Sequence, residues 1–380
     1  MQVAFHAPLK PHDHPVPSGD RLIAQMLCEA LGVAGMEVDI ASRLRSRVAD
    51  GNILKQVRLA ELGTKLAGRY LRQVQSGSRT RPDVWFTYHL YYKAPDLIGP
   101  IVSAALDIPY VVAEASFAPK RANGPWAQNH QAVKTALEHA DAVFSLNRSD
   151  MECLRDVCEP DVLHFLPPFT RVENWAVESR PKIDPANVKL VTTAMMRDGD
   201  KFRSYQLLAK CLGKLIGEGV DNWHLTVIGD GPARLQVEAL FDEAGVGAGH
   251  VTFAGLCVPD ETRNILAASD LFVWPAINEA FGMALLEAQA SGLPVLAGDV
   301  GGVSGIVSHG VTGWLVPVDD MDAFTRCLKN CVTTDVDVLR KYGVAGASKA
   351  LQHHAMASAA DMLGGTLRKL VAQNRSGQGA

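Results

Sequence analysis

Residues 275–320 read PAINEAFGMALLEAQASGLPVLAGDVGGVSGIVSHGVTGWLVPVDD, directly after the apolar run DLFVW. DLFVWPA is bounded like a buried strand, GMALLEAQAS has helical composition, and LPVLAG is again a strand. A strand, a loop, a helix and a second strand within thirty residues predict a parallel βαβ crossover. Glu279 falls in the loop after the first strand and Glu287 on the following helix, with seven residues between them. Gly282 marks the junction, so the amides of Phe281, Gly282 and Met283 are expected at a helix N-terminus. Free N–H groups and the positive dipole end there favour phosphate or sugar oxygens.

The same alternation extends outward in both directions. Upstream lie the strand signals VKLVTTAM, HLTVIG and HVTFAG, with the helix SYQLLAKCLGKLIGEG between the first two. The stretch PPFTRVENWAVESRPKIDPAN carries four prolines without sustained periodicity and reads as a connection. Before it, QVAFHA, MEVDI, DVWFTYHL, IPYVVAEA, AVFSLN and VLHFLP form a second series of short strands, with a helix expected over about 21–31. Everything after Asp320 reads as helical. The chain is therefore expected to be α/β, with two Rossmann-like domains facing each other across a cleft. Its divisions are an N-terminal Rossmann-like domain (1–168), a linker (169–187), a C-terminal Rossmann-like domain (188–345) and a helical segment (346–380) returning towards the first domain. Ligands in such sheets bind beyond the carboxyl ends of the strands.

Composition excludes several classes. The chain has 380 residues, 47% of them hydrophobic and 21% charged, which rules out a disordered polymer. No apolar run reaches the ~20 residues of a membrane-spanning helix, and the N-terminus has no signal-peptide pattern. Seven cysteines without a C-x-x-C pair suit reduced thiols in a cytoplasm. A net charge of −4 offers no general footprint for nucleic acid. Between Arg43 and Arg81, however, ten basic residues face only Asp50 and Glu61.

Read alone, Glu279 would be a helix cap and Glu287 a solvated helix residue. Their neighbours point elsewhere. The order Glu279, Phe281-Gly282, Glu287-Ala288, Ala290, Gly292, Pro294-Val295 resembles the E-x7-E signature of family 4 of the retaining, nucleotide-sugar-dependent glycosyltransferases, which have the GT-B fold. The resemblance is clear over about 189–324 and looser in the N-terminal half. It implies that Glu279 contacts hydroxyls of the donor sugar and Glu287 the ribose. Ala280, Phe281, Gly282 and Met283 would border the sugar and diphosphate. Gly229 and Gly231 would line the nucleotide loop, and Leu256 would meet the base. Arg197 and Lys201 would steady the departing diphosphate, although the family spaces this pair by five residues and here the spacing is four. Preorganised cations in a site with little water do such work effectively. No cofactor or metal is implied. The two glutamates are donor-binding groups rather than a hydrolase pair across one bond.

On the acceptor side, Gly19 follows Ser18 where the family has a glycine-rich loop, and glycine there would permit close backbone approach. His89, ending a strand, is a candidate catalytic group, though a lone histidine is equally often packed or capping. Glu114 and Ser116 stand where many relatives of this resemblance have a histidine. The group His12-Asp13-His14 lacks further metal ligands, and Arg234 replaces the third glycine of a dinucleotide fingerprint, which disfavours a dehydrogenase. Leu62, Leu66, Tyr70 and Val74 recur at helical spacing beside Arg58, Lys65, Arg69 and Arg72. The alternatives for that helix are a solvated basic face and a docking face for an anionic membrane.

The expectation is a metal-independent retaining glycosyltransferase that moves a sugar from a nucleotide diphosphate, UDP before GDP or ADP, to a hydroxyl acceptor such as a membrane lipid or glycan precursor. It would be cytoplasmic or peripheral on the inner membrane face. An epimerase or phosphorylase of the same fold, and a non-catalytic sugar-nucleotide binder, are the competing readings.

Overall fold

The structure is a computed structural model that describes residues 1–16, 18–333 and 336–377. Pro17 lies outside the described residues. So do residues 334 and 335 of the expected 188–345 domain and 378–380 of the C-terminal segment. The chain divides into two compact units, Met1–Pro167 with Met356–Ala380, and Pro168–Ala355.

The first unit is built on six parallel strands: β1 (Gln2–His6), β2 (Glu37–Ser42), β3 (Val84–Leu90), β4 (Tyr110–Ala115), β5 (Ala142–Ser145) and β6 (Leu163–Phe165). Their order is β2-β1-β3-β4-β5-β6, so the connection reverses direction between β1 and β3. The central strands β3 and β4 are buried almost end to end, as parallel strands covered by helices on both faces must be. The helix Gly19–Val33 begins at Ser18, whose Oγ accepts from the Arg21 amide at 3.3 Å. The last helix, Met356–Gly377, belongs to this unit: Arg368 donates to the Ala34 carbonyl at 3.0 Å and Arg375 pairs with Asp83 at 2.5 Å.

The helix Ile53–Gln75 packs most of its expected apolar stripe inward, with Tyr70 buried and Leu66 and Val74 against the core. Gln56, Gly63, Ala67 and Tyr70 are buried, whereas Leu62 is 41% exposed. The cause is Gly63, where a Cβ would overlap the Leu97 side chain and carbonyl. Small residues let the helix lie close, which leaves Leu62 turned outward.

A carboxylate organises the interior of this unit. Asp96 is buried and accepts from Thr87 Oγ1 (2.6 Å), Trp85 Nε1 (3.1 Å) and the amides of Ile98 and Gly99 (both 2.9 Å). It thereby caps the helix Gly99–Leu106 and ties it to β3. A side chain at Gly99 would collide with Asp96 and Trp85.

The second unit has β7 (Val188–Thr193), β8 (Trp223–Ile228), β9 (Val251–Gly255), β10 (Leu271–Trp274), β11 (Val295–Asp299) and β12 (Gly313–Pro317), all parallel in the order β12-β11-β10-β7-β8-β9. The edge strand β12, within HGVTGWLVP, is an addition to the strands expected from the sequence. It ends at Pro317, which an edge tolerates. Arg180, in the proline-rich stretch, is fastened here: it donates to the Leu266 carbonyl at 2.7 Å, to Ser269 at 2.5 Å and to Ser291. These are orphan carbonyls at and just beyond two helix ends. Burial brings the Arg180 guanidinium down to about 10.

Asp96→Ala would take this acceptor from five buried donors, the Tyr110 hydroxyl at 3.3 Å among them, a loss of roughly 3–5 kcal/mol. Asp96→Asn, which keeps one acceptor oxygen, should cost clearly less. Urea unfolding of the two variants checks the order, and equal stability of Asp96→Ala and wild type would refute the role.

Candidate functional site

In the second unit the connection reverses between β7 and β10, and the carboxyl ends of these two strands carry the expected residues. This is where open parallel sheets hold ligands. The loop after β7 leads to the helix Asp200–Gly217, whose first turn includes Lys201. The loop after β10 carries Glu279. Lys201 Nζ and Glu279 Oε2 form an ion pair, with side chains 23% and 18% exposed. The ammonium also lies 5.4 Å from the centre of the buried Trp274 ring.

That second loop is held under strain. Ala276 and Asn278 adopt left-handed φ of 55°, a region non-glycine residues rarely occupy. Asn278 donates to Asp200 at 2.7 Å, and the Ile277 amide donates to Ser204 Oγ at 3.1 Å, which locks the loop to the turn bearing Lys201. From behind, Gly298, Gly301 and Gly302 press against it so closely that a Cβ would meet the carbonyl oxygens of Pro275, Glu279 and Ala280. Such strain persists only where the surroundings over-determine it, and it clusters at functional sites.

The helix Met283–Ala290 starts from Gly282 at φ 76°, with no side chain capping it. Among the described residues, the amides of Phe281, Gly282, Met283 and Ala284 donate to no protein acceptor. Ala280 is exposed, and Phe281 and Met283 are half-buried. Glu287, a little over one turn further on, is half-buried and has no hydrogen-bond or ion-pair partner among the described residues. Burial without a cation pushes its carboxyl up to about 8.

The other expected residues are placed less directly. Arg197 is exposed, and among the described residues the structure brings no partner to it. Gly229 and Gly231 have φ of 138° and 156°, and a Cβ on either would strike the Ala194 or Met196 carbonyl. Their need for glycine arises from the loop after β7 running alongside, with the Ala194 amide on the Ile228 carbonyl and the Met196 amide on Asp230, both at 3.0 Å. Leu256 is 84% exposed just beyond β9. Arg234 is engaged by Asp230 (3.0 Å) and Glu238 (2.8 Å).

The first unit reverses direction between β1 and β3, and a second cluster lies at that point. His89 Nδ1 is 3.3 Å from Asp20 Oδ1 and 3.4 Å from Glu114 Oε1. His89 and Glu114 both have left-handed φ, 64° and 59°. Burial opposes a charge on His89, but the two carboxylates outweigh it and raise its pKa. Burial raises Glu114, against the pull of His89, while the contact with His89 lowers Asp20. Asp20 is the member that sequence reading missed. It stands in the first turn of Gly19–Val33, where an acidic residue reads only as a favourable helix charge. Ser116 joins through its backbone alone, its amide on the Leu90 carbonyl at 3.0 Å. Gly19 is surrounded by open space and has no left-handed φ, so the chain's own packing does not require glycine there. Among the described residues, no three His, Cys, Asp or Glu side chains converge in a metal-binding arrangement, and Asp13 of the His12-Asp13-His14 group is taken by Arg43 at 2.6 Å.

Over 98% of the chain, the structure superposes on 99% of a sucrose-phosphate synthase from Thermosynechococcus elongatus, with TM-score 0.72 and 20% identity. Anabaena HepE in complex with UDP-glucose matches over 97% of this chain and 100% of that one, with TM-score 0.70 and 16% identity. The fold is GT-B. Residues 188–334 match the family model described as glycosyl transferases group 1. In sequence, the chain is 27% identical over 326 residues to alpha-maltose-1-phosphate synthase of Mycobacterium tuberculosis, covering 75% of this chain and 78% of that protein. Together these indicate a glycosyltransferase enzyme of group 1 type.

Glu287 gives the site a pH signature. Below about 4.5 the carboxyl is protonated in the folded and unfolded chain alike. Between there and about 8 only the folded protein keeps the proton, so stability falls as pH rises through that window and levels off above it. Glu287→Gln lacks this titration. At pH 8.5 the variant should gain roughly 1–3 kcal/mol on wild type relative to their difference at pH 4.5. Parallel pH dependences in urea unfolding would show that the carboxyl titrates normally.

Proposed function

We propose that the protein is a retaining glycosyltransferase of family 4 type, transferring a sugar from a nucleotide diphosphate, with UDP the nucleotide, to an acceptor hydroxyl. The observation that carries this reading is the Lys201–Glu279 pair beside the unpartnered amides of Phe281 to Ala284, at the strand reversal of the second sheet. A diphosphate accepts from those amides and draws Lys201 Nζ onto its oxygens. Glu279, freed from the lysine, accepts from donor-sugar hydroxyls, and Glu287 accepts from the ribose diol. Leu256 offers an apolar surface to the base. The structural likeness to a protein crystallised with UDP-glucose supports the choice of nucleotide.

Departure of the nucleoside diphosphate builds charge on its terminal phosphate. Lys201, Arg197 and the helix amides stabilise that charge, so the proposed chemistry asks for no metal. The acceptor hydroxyl then attacks from the face the leaving group vacates and gives its proton to the departing phosphate. His89, held by Asp20 and Glu114, is proposed to bind the acceptor in the first unit.

A membrane surface is a further proposed partner, and the exposed side of Ile53–Gln75 supports it. Ile53, Leu54, Val57 and Leu62 are 58, 69, 38 and 41% exposed and share that side with Arg58, Lys65, Arg69 and Arg72. Such a face suits an anionic bilayer. Among the described residues no helix is long and apolar enough to cross a membrane.

A thermal-shift screen against UDP, GDP and ADP sugars tests the donor, since ligands that bind the native state raise its melting temperature. Lys201→Ala and Glu279→Ala should each lower transfer by a factor of about 100 or more, the scale of removing one charge-stabilising group. Their partly exposed pair should cost only about 1 kcal/mol of stability. Full turnover in both variants would overturn the assignment. Product analysis with labelled donor separates transfer from epimerisation or phosphorolysis.

A further inference from the structure

Beyond His89, the loops after β3 and β4 carry an unbroken run of rings. His89 and Tyr91 have centroids 5.0 Å apart, Tyr91 and Tyr92 5.7 Å, and Tyr92 and Trp126 5.1 Å. Two cations stand over its outer end. Lys93 Nζ lies 5.8 Å from the Tyr92 centroid and 6.0 Å from that of Trp126, and Arg121 Cζ lies 5.2 Å from Tyr92. Among the described residues neither cation has a carboxylate partner. Elsewhere along this edge Arg43 pairs with Asp13 and His89 with Asp20 and Glu114, while Arg47 lies against the Tyr91 hydroxyl.

Two buried donors nearby also lack acceptors. Arg121 Nε and Asn129 Nδ2 are buried with no hydrogen-bond partner among the described residues, although Asn129 sits in the first turn of the helix that follows Trp126. An unmet buried donor costs about 1–3 kcal/mol, so such groups need a reason. The loops themselves are firmly placed. The Val48 amide donates to the Lys93 carbonyl at 2.8 Å, Ser46 Oγ donates to Pro95 at 2.6 Å, and Gln56 Nε2 donates to Pro125 at 2.7 Å.

We infer that the acceptor carries a phosphoryl group, bound by Lys93 and Arg121 over Tyr92, while its reacting hydroxyl is held at His89. This rests on the glycosyltransferase reading and adds a substrate class to it. The chemistry divides accordingly. The carboxylates of Asp20 and Glu114 accept from hydroxyls and repel an anion, so a phosphate belongs at the other end of the run. There the ammonium and guanidinium supply charge-assisted donors, and Arg121 has the planar fork that fits phosphate oxygens. Tyr91 and Tyr92 between the two ends offer flat faces of the kind on which a sugar ring lies. Aromatic rings beneath the cations also fix their positions before a ligand arrives.

A phosphoryl group reaches this site either on a free sugar phosphate or on a lipid headgroup. The full-length protein, saturated with UDP to fill the diphosphate site, is titrated with glucose 1-phosphate and with glucose. In parallel it is sedimented with phosphatidylglycerol and with phosphatidylcholine vesicles. One anionic probe should bind at least tenfold more tightly than its neutral counterpart, and the arm that responds identifies the source. The double variant Lys93→Ala/Arg121→Ala should lose most of that preference while keeping its thermal shift with UDP. Equal binding of charged and neutral probes would overturn the inference, as would a preference that survives in the double variant. Vesicle binding abolished only by Arg58→Ala/Lys65→Ala/Arg69→Ala would also overturn it, because the bilayer would then sit on the outer helix instead. If no nucleotide diphosphate shifts the melting temperature, the donor reading fails separately, and the anion preference is still read without UDP.

Discussion

The loop bearing Glu279 has no room behind it. Gly298 of β11 and Gly301 and Gly302 beyond it lie against its carbonyl oxygens, two of its own residues are forced into left-handed backbone, and Ile277 and Asn278 are tied to the helix that begins at Asp200. Everything proposed for the second unit depends on this clamp. An ion pair with both partners about one-fifth exposed contributes little to stability by itself. Its value is positional: the rigid loop sets a carboxylate against an ammonium beside a helix end whose amides have no acceptors. In the proposed reading, a diphosphate would satisfy those amides and compete for the lysine in one step.

The two units solve the same problem with opposite chemistry. Each reverses its strand order once, and each gathers polar side chains at the carboxyl ends of the strands flanking the reversal. In the second unit those groups are a lysine, backbone amides and Glu279, an arrangement suited to an anion with hydroxyls attached. In the first they are a histidine between two carboxylates, suited to hydroxyls, with unpaired cations further along the aromatic run. His89 and Glu114 sit in strained backbone, as Ala276 and Asn278 do. The strained non-glycine residues thus fall largely at the two places where the topology predicts ligands.

The glycines differ in what their own packing requires. Gly229 and Gly231, expected in a loop near the nucleotide, make space for the backbone of the loop after β7. Gly19 was expected to let a ligand approach the backbone closely, and open space surrounds it. Gly63 drew no notice, yet its close contact with Leu97 sets how the helix packs, with Leu62 left outside beside the basic residues.

Local pattern alone determined the α/β class, nearly all of the strands and the neighbourhood of Glu279, because apolar runs, helix starts and glycine turns are written in consecutive residues. The weak edge strand β12 escaped it. Pairings between distant residues were not legible: Lys201 with Glu279 across 78 positions, and Asp20 with His89 across 69. Each arises from strand order, which is set by how helices and sheets pack and not by any single segment. Asp20 looks like any acidic residue in a first helical turn until β3 is laid beside β1. Only the tertiary structure could supply that neighbour, because the sheet order brings together ends of strands that the chain itself keeps far apart.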